Sequence, residues 1–312
     1  MFLDHSEKKY NTFSQYLKDK FGEKVYKVTI NAGLGCPNRD GTKSSGGCIF
    51  CDDSGSFSQA HDANLPIKEQ LLTGISTLEN RFNAHKFISY LQSFSNTYAD
   101  IETLQKIYDA ALDNEKVVGL AIGTRPDCVD EEKINLISGY AQTREVWLEY
   151  GLQSIHDRTL DLINRSHSAQ DFVNAVKLTQ NKGIKISAHV ILGLPNETKQ
   201  DMLDTAKALA DLNIDGVKIH CLCVLKNSKL EKSYFSGELK ILSEDEYVDI
   251  ACSFMELLPE TVLIHRLAGN GYKKALLAPL WLGQKFKTLN KIDNWFEKNN
   301  SCQGHKYIQS IY

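Results

Sequence analysis

VYKVTINAGLGCPNRDGTKSSGGCIFC (residues 25–51) joins two kinds of chain. Residues 25–30 form a short, largely apolar and β-branched run of strand length. The stretch after it, about 31–64, is rich in Gly, Asp and Ser and is too long to be a passive connection. A strand that empties into a long functional loop is the signature of a β/α fold whose working end lies at the C-terminal strand ends.

Outward from this stretch the same alternation repeats. Strands are predicted at 86–92, 117–123, 145–151, 184–192 and 214–222, with helical patterns at 6–20, 66–84, 101–113, 130–142, 168–182 and 198–211. Short apolar strands separated by amphipathic helices imply parallel strands joined by right-handed crossovers. About six such units are too few for a closed eight-fold barrel. They predict an α/β fold, a partial, three-quarter β/α barrel with one side open to a large substrate. The expected core is 1–223, including the N-terminal helix and the loop 31–64. After it comes a helical C-terminal extension, 224–312, with helices at 243–258 and 271–300 around one strand-like stretch, 261–267.

The strand ends carry unusual polar strings: NAGLGCPNRDG, QSFSNTY, GTRPD, EYGLQS, HVILGLP and KIHCL. Their clustering points to an enzyme. With 42% apolar and 24% charged residues over 312 positions, the chain has the composition of an ordinary globular protein. A net charge of −3 gives no bulk support for nucleic-acid binding and leaves only a local basic patch for that role. No stretch approaches the length of a membrane span and the first 25 residues hold no signal-like apolar run, so a cytoplasmic protein without membrane partners is expected.

Of eight cysteines, Cys36, Cys48 and Cys51 crowd into sixteen residues, whereas Cys128, Cys221, Cys223, Cys252 and Cys302 are scattered. The scattered ones read as buried small hydrophobes, with Cys221 and Cys223 on one strand face as candidates for an auxiliary metal. Thiolates suit zinc or an iron–sulfur cluster. Three cysteines holding a 4Fe-4S cluster leave one iron open to chelate the amino and carboxylate groups of S-adenosylmethionine (SAM), whose reductive cleavage gives a 5′-deoxyadenosyl radical. The alternative is structural zinc, with His61 completing a Cys3His set, in a nucleic-acid-binding module without catalysis. A parallel barrel downstream favours the cluster.

The string GLGCPNRDGTKSSGGCIFC resembles the YhcC/YtqA-like family of radical SAM proteins, relatives of the Elp3 and oxygen-independent coproporphyrinogen oxidase types. The likeness continues through SNTYA (95–99), GTRPDCV (123–129), GLQS (151–154), NRSH (164–167), ILGLP (191–195), KIH (218–220) and HRLAGN (265–270). The eleven-residue gap between Cys36 and Cys48 is wider than the usual radical SAM spacing and matches this family's own version. The resemblance implies a cluster on Cys36, Cys48 and Cys51 and a SAM site. In that site Phe50 brings its backbone to the adenine edge, and Gln92, Ser93, Ser95 and Asn96 replace the usual glycine-rich string at the SAM amino group. Gln153, Arg165 and His189 stand at SAM-contacting positions, His189 where coproporphyrinogen oxidase relatives carry an acid. Glu149 is placed to reach the ribose or the substrate, and the turn from Leu192 to Pro195 packs against the adenine.

The resemblance further implies an electron donor such as flavodoxin or ferredoxin. It suggests tRNA as the substrate, through removal of the carboxymethyl branch from carboxymethylaminomethyl-uridine at the wobble position. Lys273, Lys274, Lys285, Lys287, Lys291, Lys298 and Lys306, interleaved with Tyr272, Trp281, Phe286, Trp295 and Tyr307, form a candidate phosphate- and base-gripping stretch. A solvated basic helix face explains the same pattern. A small metabolite or porphyrin-like molecule is the other substrate class, held inside the barrel by groups such as Lys218 and His220.

Overall fold

The computed structural model describes residues 8–52, 64–268 and 275–308. Strands β1 (Val25–Ile30), β2 (Lys86–Leu91), β3 (Val117–Thr124), β4 (Glu145–Gln153), β5 (Lys185–Leu192) and β6 (Gly216–Cys221) fall where the apolar runs predict them. Helices α2 (Ile67–Phe82), α3 (Ile101–Leu112), α4 (Glu131–Ala141), α6 (Ala169–Thr179) and α7 (Lys199–Asp211) make the crossovers, and the short α5 (Asp157–Leu162) precedes α6. Their starts are legible in the sequence because Asp100, Asp130, Ser168 and Thr198 each accept a backbone N–H of the first turn through the side chain. The N-terminal helix α1 (Phe13–Phe21) is shorter than expected, capped by Thr12 and ended at Gly22 in the left-handed region.

The sheet runs β1-β2-β3-β4-β5-β6-β8, all parallel, and curls into a partial barrel. The seventh strand, β8 (Leu263–Arg266), comes from the C-terminal region, so the sheet has one strand more than the six units counted from the sequence. Asn11 and Thr12 run alongside Ile264 on its outer edge. The rest of that region comprises β7 (Val224–Leu225) paired with β9 (Leu276–Ala278), and helices α8 (Leu230–Phe235), α9 (Glu244–Glu256) and α10 (Lys285–Lys298). A helix across all of 271–300 does not form. Pro279 interrupts it, β9 and a short 3-10 turn (Leu280–Gly283) precede α10, and residues 269–274 lie outside the described residues.

Strand β4 shows how the barrel is layered, because side chains alternate along it. Val146, Leu148, Tyr150 and Leu152 join the large core between sheet and helices. The alternate positions point inward. Trp147 packs with Ile88, Tyr90, Ala121 and Phe13 of α1, which plugs the barrel floor. Glu149 lies one layer above, and Gly151 and Gln153 line the mouth.

Candidate active site at the barrel mouth

A cavity of about 340 Å³ opens at the C-terminal strand ends. It is large enough for a cofactor or small ligand. Its lining includes Cys36, Cys48, Cys51, Phe50, Gln92, Ser93, Ser95, Glu149, Gln153, Arg165 and His189. Asn96 and Leu192 do not line it. Asn96 is fully buried and its Nδ2 donates to the carbonyls of Leu91, Ser93 and Gly123, tying the chain reversal after β2. Leu192 follows Ile191, which faces the cavity, so the strand alternation turns Leu192 into the core.

The cysteine loop is fastened to the connection after β4. Asn38 donates to the Asn164 carbonyl at 2.6 Å, Asn164 donates to the Gly47 carbonyl at 2.8 Å, and Ile49 N–H to the Ile163 carbonyl at 3.1 Å. Cys51 N–H bonds the Cys48 carbonyl at 3.1 Å, closing a tight turn that presents both thiols to one place. The hydrogen bond from Cys51 and the nearby Arg165 and Arg125 guanidiniums hold the Cys48 thiol well below its ordinary range despite burial. Burial pushes the Cys128 and Cys223 thiols up to about 11. Among the described residues no group of three or more His, Cys, Asp or Glu side chains is set to hold a single metal ion, and His61 lies outside the described residues.

Arg165 is positioned by donating Nη2 to the Gly151 carbonyl at 2.7 Å, while Nη1 lies 3.6 Å from Cys48 Sγ. Its Nε is buried without a partner, as are Arg125 Nη1, Ser95 Oγ and His220 Nε2. Four lining residues thus hold unspent hydrogen-bonding capacity in the cavity wall, which fits a polar, anionic occupant. Gln153 reaches the rim because β4 bulges between Gly151 and Gln153, with Gln153 at φ 77°. Such bulges re-aim a side chain next to a functional site.

Below the rim, Glu149 is 1% exposed. Lys218 forms a very short ion pair with it, Lys27 lies at 2.7 Å, His189 Nε2 at 3.1 Å and His265 Nδ1 at 3.7 Å. Burial alone would raise this carboxyl, yet Lys218 and Lys27 hold it well below the carboxylate range. Burial pushes His189 down to about 4 and His265 to about 3, so both rings are neutral at pH 7. With both oxygens engaged, Glu149 builds the cavity floor and is not free to grip a ribose. Tyr90 caps the cluster, its hydroxyl 3.0 Å from Lys218 Nζ. Lys27, Tyr90, Arg125, Arg266 and His265 were assigned no role from the sequence, although Arg125 stands in the GTRPDCV string and His265 and Arg266 in HRLAGN, and Lys27 is a charge in the middle of a β-branched strand.

The C-terminal lysines do not form one free basic face. Lys291 pairs with Glu244 and Asp245 at 2.7 and 2.6 Å, Lys287 faces Glu244 at 3.5 Å and Lys306 meets Glu256 at 2.6 Å. Trp281 and Trp295 donate to Leu242 and Asp249. These contacts consume most of the basic-aromatic pattern in packing α10 onto α9. Tyr272, Lys273 and Lys274 lie outside the described residues.

Comparison with known proteins agrees with this architecture. The profile of the Radical SAM superfamily matches residues 30–209, and that of the Radical_SAM C-terminal domain matches 214–298. YtqA of Bacillus subtilis (strain 168) is 37% identical over 311 residues, which cover 98% of this chain and 95% of YtqA. A tRNA uridine(34) acetyltransferase of Methanocaldococcus infernus is 31% identical over 170 residues, 54% of this chain and 31% of that protein. Among solved structures, the archaeal Methanocaldococcus infernus Elp3 with its N-terminus (1–46) deleted superposes with a TM-score of 0.67 at 20% identity, covering 89% of this chain and 64% of that one. That likeness shows the shared fold. No helix among the described residues is long and apolar enough to cross a membrane. The chain belongs to the radical SAM superfamily, in its YhcC/YtqA-like, Elp3-related branch, and is an enzyme of that class, whose cofactors are a 4Fe-4S cluster and SAM.

Proposed function

We propose that Cys36, Cys48 and Cys51 hold the cluster, that SAM occupies the cavity beside Arg165, Gln153 and the Gln92–Ser95 turn, and that the substrate is the wobble uridine of tRNA. The observation that carries the reading is convergence: three thiols, one of them favoured as thiolate, and two guanidiniums with unpartnered nitrogens line a single cavity. When bound, the cluster and SAM supply a one-electron cleavage that yields a 5′-deoxyadenosyl radical.

The chain's own residues position and seal. The Gly151 carbonyl anchors one nitrogen of Arg165, leaving its buried Nε to meet a carboxylate, a charge-assisted contact. Phe50, packed against the apolar cluster around Ile163 and Leu194, gives the cavity an apolar wall. The Glu149–Lys218–Lys27 cluster closes the floor, so that a reactive radical above it meets no bulk water.

The step assigned to the chain takes carboxymethylaminomethyl-uridine to aminomethyl-uridine. The reacting position would be the carbon between nitrogen and carboxylate, where loss of a hydrogen atom to the radical that SAM supplies would leave a stabilised centre. Loss of one further electron to an oxidised one-electron carrier, and of the nitrogen-bound proton to solvent, would give an imine. Water then frees the amine and carries the two carbons away as glyoxylate. Support comes from the relative named tRNA uridine(34) acetyltransferase, which matches 54% of this chain. A small acidic metabolite is the second reading, favoured by the ion-paired state of Lys287, Lys291 and Lys306. Nucleoside analysis of tRNA from a strain lacking the gene decides between them. Accumulated carboxymethylaminomethyl-uridine is expected, and an unchanged nucleoside profile would remove the tRNA substrate.

A further inference from the structure

The cavity wall made by β6, β8 and the segment before α10 is unlike the wall that carries the cysteines. Arg266, at the end of β8, lines the cavity, and no carboxylate or other hydrogen-bond partner among the described residues meets its guanidinium. Among the described residues the one lining carboxylate, Glu149, is already shared by Lys218 and Lys27. Arg125 is different: Asp127 pairs with its Nε and Nη2 bidentately at 2.8 Å.

A second cation, Lys285, is near enough to Arg266 to feel its charge. Lys285 is half-buried, has no carboxylate partner among the described residues, and its ammonium is pushed below its ordinary range by burial and by Arg266. It is the first residue of α10, a 14-residue helix with no side-chain cap and no acid in its first turn. The positive end of the helix dipole therefore adds to the same charge. Its neighbours Lys287 and Lys291 behave oppositely, being matched by Glu244 and Asp245. Leu282, just before the helix, also lines the cavity and ties this corner to it.

A third observation is independent of the two cations. His220, two residues beyond Lys218 on the same inward face of β6, buries its Nε2 with no partner. An orphaned ring nitrogen in a cavity that also holds an unmatched guanidinium has a donor or acceptor to satisfy. Like charges held near each other in a partly buried place disfavour one another's charged form, a cost that an anion between them would offset.

We propose that Arg266, Lys285 and His220 form an oxyanion-binding subsite that receives a carboxylate or phosphate of the substrate, separate from the Arg165 corner assigned to SAM. The proposal rests on the radical SAM reading of the cavity for its biological meaning and deepens it by naming the recognised group. A guanidinium, an ammonium and an imidazole together offer the kind of donors that the oxygens of either anion accept. A carboxylate source is the substrate's own acidic branch, and a phosphate source is the nucleotide backbone.

The test uses isothermal titration of the full chain with inorganic phosphate and, separately, with malonate. Wild-type protein is expected to bind one of the two in the millimolar range. Arg266→Gln and Lys285→Gln are each expected to weaken binding about ten-fold, the loss of one charge-assisted contact. Lys287→Gln, a partner of Glu244 outside the cavity, serves as the unchanged control. Preference for phosphate assigns the subsite to the nucleotide backbone, and preference for malonate to the acidic branch. Binding of neither anion, or equal binding by wild type and a folded Arg266→Gln or Lys285→Gln protein, overturns the subsite. SAM cleavage by the wild type in the same preparation separates the two ideas. Anion binding without cleavage leaves the subsite standing and sinks the radical reading, and cleavage without anion binding sinks the subsite alone.

Discussion

Glu149→Gln probes the floor of the cavity and has a magnitude that the structure constrains. The carboxylate is 1% exposed and shared by Lys218, Lys27 and His189. Glutamine keeps the shape and removes the charge. Lys27 is partly exposed and sits over the rings of Phe13 and Tyr90, so it relaxes cheaply. Lys218 cannot reach water and is left as a buried cation without an anion. Its penalty is capped by the cost of giving up the proton: from a reference value near 10.4 to pH 7, about 4.6 kcal/mol. Breaking a buried ion pair by removing one partner costs about 3–5 kcal/mol, in the same range. Urea unfolding of the cluster-free chain under reducing conditions is therefore expected to show a loss of about 3–4 kcal/mol for Glu149→Gln. The double variant Glu149→Gln/Lys218→Met should recover most of it, because the orphaned charge is gone. A Glu149→Gln loss below about 1 kcal/mol, or a double variant as unstable as the two single changes added together, would show that the cluster is not the closed electrostatic unit described.

Two further outcomes concern side chains around the same cavity. His189 takes a proton in the unfolded chain below about pH 6.5 but in the fold only near 4, so stability is full above about 6.5 and falls as pH drops toward 4. The loss by about pH 5 is about 2 kcal/mol from this ring alone, and a urea midpoint that stays level or rises between about pH 7.5 and 5 would contradict it. Gly151→Ala places a methyl 2.6 Å from Arg165 Nη2 and 2.8 Å from Gln153 Nε2, both at the ends of flexible side chains. The fold should survive while both groups are displaced, weakening SAM binding about ten-fold, and unchanged SAM affinity in equilibrium dialysis would place these residues outside the SAM site.

The strands and crossover helices were legible because their apolar spacing and Asp, Ser or Thr caps are local properties. Strand β8 was visible as a stretch but not as a barrel strand, since its pairing with β6 spans a long C-terminal detour that no local pattern encodes. The cysteine loop was legible from composition and spacing. Asn96 and Leu192 were placed at the site by likeness. Which way Leu192 faces depends on the register of β5, and the use of Asn96 in tying three carbonyls depends on the backbone path after β2. Arg266 and Lys285 lie 19 residues apart and meet only through tertiary packing, so nothing in their neighbourhoods announces the pair. The C-terminal lysines left two readings open for the converse reason. A basic spacing looks the same whether its partners are phosphates or, as for Lys287 and Lys291, the acids that open α9.

The central claim, that Cys36, Cys48 and Cys51 carry the reactive cluster, is tested most directly by anaerobic reconstitution and then exposure to SAM and dithionite, with 5′-deoxyadenosine measured by chromatography. Wild type is expected to load about four iron atoms per chain and to release 5′-deoxyadenosine. Alanine at any of the three cysteines should abolish both, whereas Cys252→Ala and Cys302→Ala should keep them. A folded Cys48→Ala protein that still releases 5′-deoxyadenosine would contradict the assignment.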